Sequence, residues 1–578
     1  MVPQFRFSPA NKTPLRIGIL LDDVNLLAVF ARIVDDIQAS NFAKLELLVY
    51  PKKAASNTAP PVKKSKLANL ASRIRDPKLR SRTFYHLYLK LDSRMRPTND
   101  PLDLVDCTNV FAGIESMEVE PIGKKFIQRF PPEAIEQIKA RELDVILRFG
   151  FNILHGEILQ SARYGVWSFH HGDNEFYRGG PAHFWELVEG APLSGVILQV
   201  LTEELDGGLV LCKSQFATER SISVSQNRFA PYWGSAGMVI QKLNELHQFG
   251  WDYLKERAVA PVPYQGKRKV YRTPENLDVA RWLAPILLKK AVRYPFRQKK
   301  VLHWRLAIRK NGRPLFEAGE NPDATGFRWI EAPKSHFWAD PFLIAHQGST
   351  WLFFEDYSYR NQRGDIACCE VLPDGTLAAP VTCLADEHIH YSYPHVFHAN
   401  GILWMTPESS GSNSVDLYVC QDFPLKWKKE RTLIEGKYVD PTLWERDGKW
   451  WMAVTTAEPE SRAGCLLLFY SASLSSEWRL HPSSPISTDI RNNRGAGAII
   501  RAGDRLIRPS QSGSPIYGYS FGFHEIVSLT EHRYQERLLT AVSPQRFKGM
   551  IGVHGYARLG DFEVIDGQQL LPLKKVSR

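Results

Sequence analysis

Two residues suited to proton transfer stand far apart in the first half of the chain but in matched settings. His170 lies in GVWSFHHGDNEFYRGG, residues 165–180, and Asp206 lies in LTEELDGGLVL, residues 201–211. Val166 to Phe169 reads as a short buried strand that runs into His170, His171, an Asp–Asn pair and an Arg–Gly–Gly turn. A second strand is expected from Gly195 to Thr202, followed by the acidic loop centred on Asp206. A histidine at the end of one strand and a carboxylate in the loop after the next is how an α/β sheet gathers catalytic groups, at the carboxyl edge of its strands. Histidine titrates near neutral pH and so serves as acid or base there, and a carboxylate beside it orients the ring.

A second set of candidates comes from a repeat. ADPFLIAHQGSTWLFFED, SYPHVFHANGILWMTPES, VDPTLWERDGKWWMAVTT and RGAGAIIRAGDRLIRPSQ align without gaps on Gly348, Gly401, Gly448 and Gly503, spaced 53, 47 and 55 residues. Each is a short apolar strand, a glycine turn and a second strand. Self-similarity at about fifty residues indicates a β-propeller with one repeat per blade. The length available makes five blades, the fifth combining strands near 560–572 with one near 303–309. Eight residues before each glycine stand Asp340, Tyr393, Asp440 and Gly495; seven after stand Glu355, Glu408, Thr455 and Ser510. Equivalent positions ring a propeller's channel, so Asp340, Glu355, Glu408 and Asp440 are expected to converge on one funnel. Crowded carboxylates are costly to desolvate, which marks functional sites. The alternative is that Asp-Pro merely starts each inner strand by satisfying local backbone donors.

The elements that must position these groups are legible in outline. At 578 residues, two or more domains are expected, and 44% hydrophobic with 23% charged residues is an ordinary globular composition. No apolar run reaches the ~18–20 residues of a membrane span, and the N-terminal residues read as a first strand rather than a leader. Seven cysteines without regular spacing point to reduced thiols in a cytoplasm, with no metal-ligand pattern. The formal charge of +11 does not indicate nucleic acid, because the basic residues gather in linker-like stretches.

Leu15–Leu21 and Leu45–Tyr50 read as buried strands about a helix from Asn25 to Ala39, the start of an open α/β sheet without a GxGxxG dinucleotide motif. A helix is expected over Pro131–Ala140, a strand over Asp144–Phe149 and long helices from Ser225 to Arg257. Residues 51–82 read as a basic insertion. The expected division is an α/β domain over 1–257, a basic connector over 258–300 and the propeller over 301–578. Lys289 to Lys310 holds nine Lys and Arg and no acid. It reads either as a linker packed between domains or as an amphipathic contact with an anionic membrane.

The first half resembles the catalytic domain of 10-formyltetrahydrofolate-dependent formyltransferases, over roughly residues 14–250. Counting back from Tyr177-Arg178-Gly179, the family's histidine falls on His170 and its aspartate on Asp206, whereas its asparagine falls on Ser168. The resemblance implies 10-formyltetrahydrofolate as cofactor, with Phe149, Gly150, Ile153 and Leu154 lining the folate pocket. A serine hydroxyl is shorter than an asparagine amide and offers one donor. His171, where the family has proline, or Asn174 is then a candidate for the missing oxyanion donor, and Arg178 for greeting an anionic group.

The second half resembles the five-bladed propellers of family-43-type glycoside hydrolases and of plant glucosaminyl inositolphosphorylceramide transferases, on FWADPF, LFFED, SYPHVF, PESSGSN, RNNRGAG and RPSQ. Asp340 and Asp440 match two of the hydrolase carboxylates, and the third position falls near Gly495. The two resemblances together imply N-formylation of an amino sugar, on a nucleotide sugar or glycan, with the propeller holding the sugar through Asp340, Glu355, Tyr393, Glu408 and Asp440. The alternatives are a propeller-based hydrolase or transglycosylase, and a non-catalytic glycan-binding protein.

Overall fold

The apolar run Leu15–Leu20 becomes the inner strand of a seven-stranded sheet in a computed structural model that describes residues 6–52, 77–123, 126–293, 300–310, 312–317, 319, 323–457 and 464–573. The sheet runs in the order Leu209–Ala217, Leu193–Val200, Val166–His170, Val145–Arg148, Leu15–Leu20, Ala43–Pro51, Glu115–Val119. The last five are mutually parallel, and the first two add an antiparallel hairpin at one edge. Parallel strands are apolar on both faces because helices cover both. Ala28–Gln38 and Gly237–Phe249 pack on one face around Ile17, Ile19, Val34 and Leu243, and Pro132–Lys139 packs on the other with Leu20, Leu47 and Ile146.

Several boundaries differ from expectation. Asn25–Leu27 is a short strand paired with Leu104–Asp106, and the first helix begins only at Ala28. The helices expected over 225–257 form four pieces, the last two separated at Gly250, whose φ of +87° ends an α-helix. The connector is corrected. The described residues up to Arg293 belong to the first unit, and those from Lys300 on to the second. Tyr271, Val279 and Trp282 are buried with Tyr85, Tyr88, Phe184 and Trp185, because so much aromatic surface gains more by packing than by spanning solvent. Most of the basic insertion (53–76) and residues 294–299 lie outside the described residues.

The second unit is a five-bladed propeller. Blades one to three are four-stranded meanders beginning at His336–His346, His390–Ala399 and Tyr438–Arg446. Blade four comprises Arg494–Gly495, Arg505–Ser512, Ser520–Leu529 and Tyr534–Val542, with Ile500–Ala502 paired alongside. The four aligned turn glycines have φ of +81°, +76°, +73° and +61°, a region costly for any other residue, so the repeat is written in backbone geometry. Blade five closes the ring: Lys300–Lys310 pairs along eleven residues with Phe562–Pro572. The C-terminal part of the basic run is therefore a propeller strand with Trp304, Leu306, Ala307 and Ile308 buried, not a surface segment free to lie on a membrane. Among the described residues, no helix is long and apolar enough to cross a membrane.

Candidate functional site

Arg148 and Ser168 are direct partners across neighbouring parallel strands, and His170 lies two residues beyond Ser168 on the same face. Asp206 reaches the pair from its loop with a left-handed backbone, φ +53°. Its Oδ1 lies 3.3 Å from His170 Nδ1, and its Oδ2 accepts the Gly179 N–H at 2.9 Å. His170 Nε2 is 2.7 Å from the Tyr177 carbonyl oxygen. Both ring nitrogens thus face acceptors, with Nε2 at hydrogen-bond geometry to the Tyr177 carbonyl and Nδ1 in ion-pair range of Asp206. The ring is 8% exposed and closely boxed: a Cβ on Gly172 would stand 2.7 Å from Nε2. The arrangement holds a proton-carrying imidazole in a fixed plane. It can surrender the Nε2 proton once the Tyr177 contact opens.

Ser168 Oγ accepts from Arg148 Nη1 at 3.1 Å and donates to the Phe169 carbonyl at 3.2 Å. Arg148 was not singled out by the sequence. Its Nη2 donates to Phe151 O and its Nε to Asn152 O, leaving N–H bonds on both terminal nitrogens for other acceptors. Burial lowers its pKa, while Asp206 and Asp22 pull the other way; a guanidinium stays charged in such settings. A charge ending the apolar strand Val145–Arg148 was the available signal. Because its partner strand is 20 residues away, only the paired sheet shows that it meets Ser168.

The other candidates divide. Asn174 Oδ1 is buried without a partner. His171 is corrected: its ring stacks on Tyr232 at 3.6 Å with both nitrogens shielded, and burial holds its pKa well below the ordinary value, so it supplies packing rather than a donor. Arg178 is tied to Glu204 at 2.6 Å, to the Asn174 carbonyl and to the Tyr264 ring, so it braces the turn. Phe149, half-buried, stacks on Phe30 at 4.4 Å, and Ile153 is half-buried. Leu154 is corrected to core, and Gly150 to a close backbone crossing, where a Cβ would stand 2.4 Å from Asp22 N.

In the propeller, Asp340, Tyr393 and Asp440 have φ of +53°, +46° and +54°, each at a break in strand register. Such bulges re-aim side chains. Asp340, Glu355, Glu408 and Asp440 line one cavity of about 1030 Å³. Tyr393 is corrected: it is buried, with its hydroxyl on Thr442 and Gly497, and only its N–H reaches Asp340. A Cβ at Gly495 would come 2.5 Å from that hydroxyl, so blade four cannot place a carboxylate there. Its neighbour Arg494 instead binds Asp440 through two hydrogen bonds, 2.6 and 3.1 Å, over the Tyr517 ring.

The sequence also passed over His554 and Asp566, which close the ring from blade five. His554 Nδ1 is 2.7 Å from Asp566 Oδ2 and its Nε2 is 3.7 Å from Asp340. Burial disfavours the charged imidazole, yet the two carboxylates outweigh it and raise its pKa. Burial, with acidic neighbours, pushes Asp340 up to about 6, Glu408 up to about 8 and Glu355 well above its usual range. Asp340, His554 and Asp566 are close enough to share a cation. Asp566 already accepts from the backbone of Asp340, His554 and Gly555 and from the His554 ring, which fixes all three in place.

A sequence profile of the family described as glucosamine inositolphosphorylceramide transferase 1, N-terminal, matches residues 322–570. Glucosamine inositolphosphorylceramide transferase 1 from Oryza sativa subsp. japonica is 31% identical over 240 residues, 41% of this chain and 32% of the relative. The Arabidopsis thaliana protein of that name is 32% identical over 206 residues, 35% of this chain and 27% of the relative. The matches thus span about a third of the length of these curated relatives. Among solved structures, glycinamide ribonucleotide transformylase 1 from Symbiobacterium toebii shares 11% identity over 41% of this chain and 88% of its own, with a TM-score of 0.27. An exo-β-1,3-galactanase from Clostridium thermocellum shares 14% identity over 37% and 54%, with a TM-score of 0.30.

Proposed function

We propose that this chain is a cytoplasmic enzyme that transfers a formyl group from 10-formyltetrahydrofolate to the amine of a sugar, carried on a nucleotide or glycan during polysaccharide biosynthesis. In this reading the propeller holds the carbohydrate. The observation that carries it is the His170 imidazole held between Asp206 and the Tyr177 carbonyl, beside the Ser168–Arg148 pair. The curated relatives are named glucosamine inositolphosphorylceramide transferase 1, and a transferase whose name carries an amino sugar supports a carbohydrate acceptor here.

The residues present fit a folate. Phe149 and Ile153 are half-buried apolar side chains beyond Arg148, and the orphaned Asn174 Oδ1 offers an acceptor to an amine or ring N–H. These three would hold it. When bound, the group supplies a formyl carbon activated toward an attacking amine. Arg148 aims a fixed positive charge at the acyl oxygen on which negative charge grows, the role an asparagine amide would otherwise play. Asp206 keeps the imidazole plane, and His170 holds the proton to be exchanged at Nε2. Arg148→Ala is expected to slow turnover about 100- to 1000-fold, with KM for the amine little changed; a steady-state comparison with Arg148→Lys checks it.

Calorimetric titration with a stable 10-formyltetrahydrofolate analogue tests the reading. Micromolar binding that Phe149→Ala loses and His170→Ala keeps supports it; no binding by the wild type overturns it. A second reading, glycan hydrolysis in the funnel, draws on Glu408 as a protonated acid and Asp340 as a base. Arg494, which pairs Asp440, opposes it. Hydrolysis predicts new reducing ends from oligosaccharides, abolished by Asp340→Asn, and carbohydrate holding predicts none.

A further inference from the structure

The funnel holds more carboxyl groups than its cations balance. Asp340, Glu355, Glu408 and Asp440 line it with Asp566 buried behind His554, and among the described residues the cations paired with them are the half-buried Arg494 and the buried His554. His390, 3.3 Å from Glu355, is pushed toward its neutral form by burial and by Arg363. Arg360 stands exposed on the wall. Three of the carboxyl groups answer this imbalance by keeping their protons more tightly than usual.

A separate observation points to an absent ligand. Gln568, on the same wall, is 1% exposed, and neither its Nε2 nor its Oε1 has a partner. Leaving a buried donor and acceptor both unmade costs free energy that a ligand's hydroxyl or amine recovers. Trp304, Phe337 and Tyr357 add aromatic surface to the wall, which suits both a pyranose face and a cation.

We propose that the funnel selects sugars bearing a free primary amine, bound as the ammonium among Asp340, Glu355 and Glu408, over their N-acylated forms. An ammonium supplies three donors and the missing charge, whereas an amide nitrogen supplies one donor and no charge. Entry of the cation lets protonated carboxyl groups ionise, so binding releases protons to the buffer. The inference rests on the reading that the propeller holds carbohydrate, and not on formyl chemistry. If the first unit does formylate that amine, the product has lost the charge by which the funnel held its precursor.

The test is calorimetry on the full-length chain at pH 7 with glucosamine, N-acetylglucosamine and glucose, as monosaccharides and as β-1,4-linked trimers. The expected result is binding of the amine about tenfold or more tighter than either counterpart. Proton release should appear as a dependence of the heat on buffer ionisation. Affinity should fall from pH 7 to pH 5, because Asp340 gains its proton within that interval and Glu408, already protonated at pH 7, gives its proton up less readily as the pH falls. Glu408→Gln should erase the preference for the amine, and Gln568→Ala should weaken all three sugars alike, with unfolding curves confirming that both variants fold. Equal affinity for the three sugars, tighter N-acetylglucosamine, or no binding at all overturns the proposal. The folate-analogue titration reads the first unit separately, so the failure of either idea is distinguishable from that of the other.

Discussion

His170→Ala is expected to lower formyl transfer about 100- to 10,000-fold while leaving folate-analogue binding within a few-fold of wild type. The imidazole bridges the Asp206 carboxylate to the turn at Tyr177, and it sits two residues from Ser168 of the Ser168–Arg148 pair on the same strand face. Alanine removes the exchangeable proton and leaves Asp206 with Gly179 N–H as its remaining hydrogen-bond partner at 2.9 Å. Asp206→Asn should follow it closely. An amide there can present its NH2 to Nδ1 in place of the acceptor that Asp206 offers, which turns the ring to the other tautomer. Single-turnover measurements with an amino-sugar acceptor separate these effects from binding. A His170→Ala variant retaining more than a tenth of the wild-type rate would remove His170 from the chemistry.

Arg309→Ala is expected to destabilise the propeller by about 3–5 kcal/mol, the usual consequence of stranding one member of a buried ion pair. Arg309 joins the first strand of the propeller to the last. Its Nε donates to Glu563 at 2.7 Å, and its Nη1 and Nη2 donate to the carbonyls of Asp323 and Arg313, both at 2.7 Å. Glu563 is fully buried and also accepts from Leu315 N–H and the Tyr556 hydroxyl. Without the guanidinium, the Glu563 carboxylate keeps in the closure seam only Arg558 among the described cations, whose Nη1 stands 3.8 Å away, beyond hydrogen-bond distance. Replacing both members with apolar residues, Arg309→Met with Glu563→Leu, should recover much of the loss, since the penalty comes from the unpaired charge. Urea unfolding followed by tryptophan fluorescence checks both, and a loss below about 1 kcal/mol for Arg309→Ala would show that the seam does not depend on this pair.

How far the site could be read from residue order depends on which residues are considered. The turn glycines at 348, 401, 448 and 503 and the acids at fixed offsets from them form a local pattern. A bulged, left-handed residue eight positions before each of the first three turns carries Asp340, Tyr393 and Asp440 to equivalent radii. What happens at that radius depends on the neighbours. Asp340 and Asp440 reach the cavity, whereas Tyr393 is long enough to cross to Thr442 and Gly497 and is spent on packing. His171 failed as a donor for a related reason. The side chain adjacent to His170 in sequence points away from it, and there Tyr232 covers it.

The amino-acid sequence by itself determined the two architectures and the five-blade count, because strand periodicity and glycine turns are short-range properties of the chain, and its resemblance to the formyltransferases implied the meeting of His170 with Asp206. Only the tertiary structure decided that Arg148 stands beside Ser168, that Arg494 neutralises Asp440 where blade four lacks an acid, that His554 and Asp566 complete the funnel and that residues 258–293 pack onto the first unit. Each of these is a contact between segments remote in sequence or a choice between packing and solvent. Burial, which sets the protonation of the funnel's carboxyl groups and leaves Gln568 unpartnered, arises only once all five blades close around the axis.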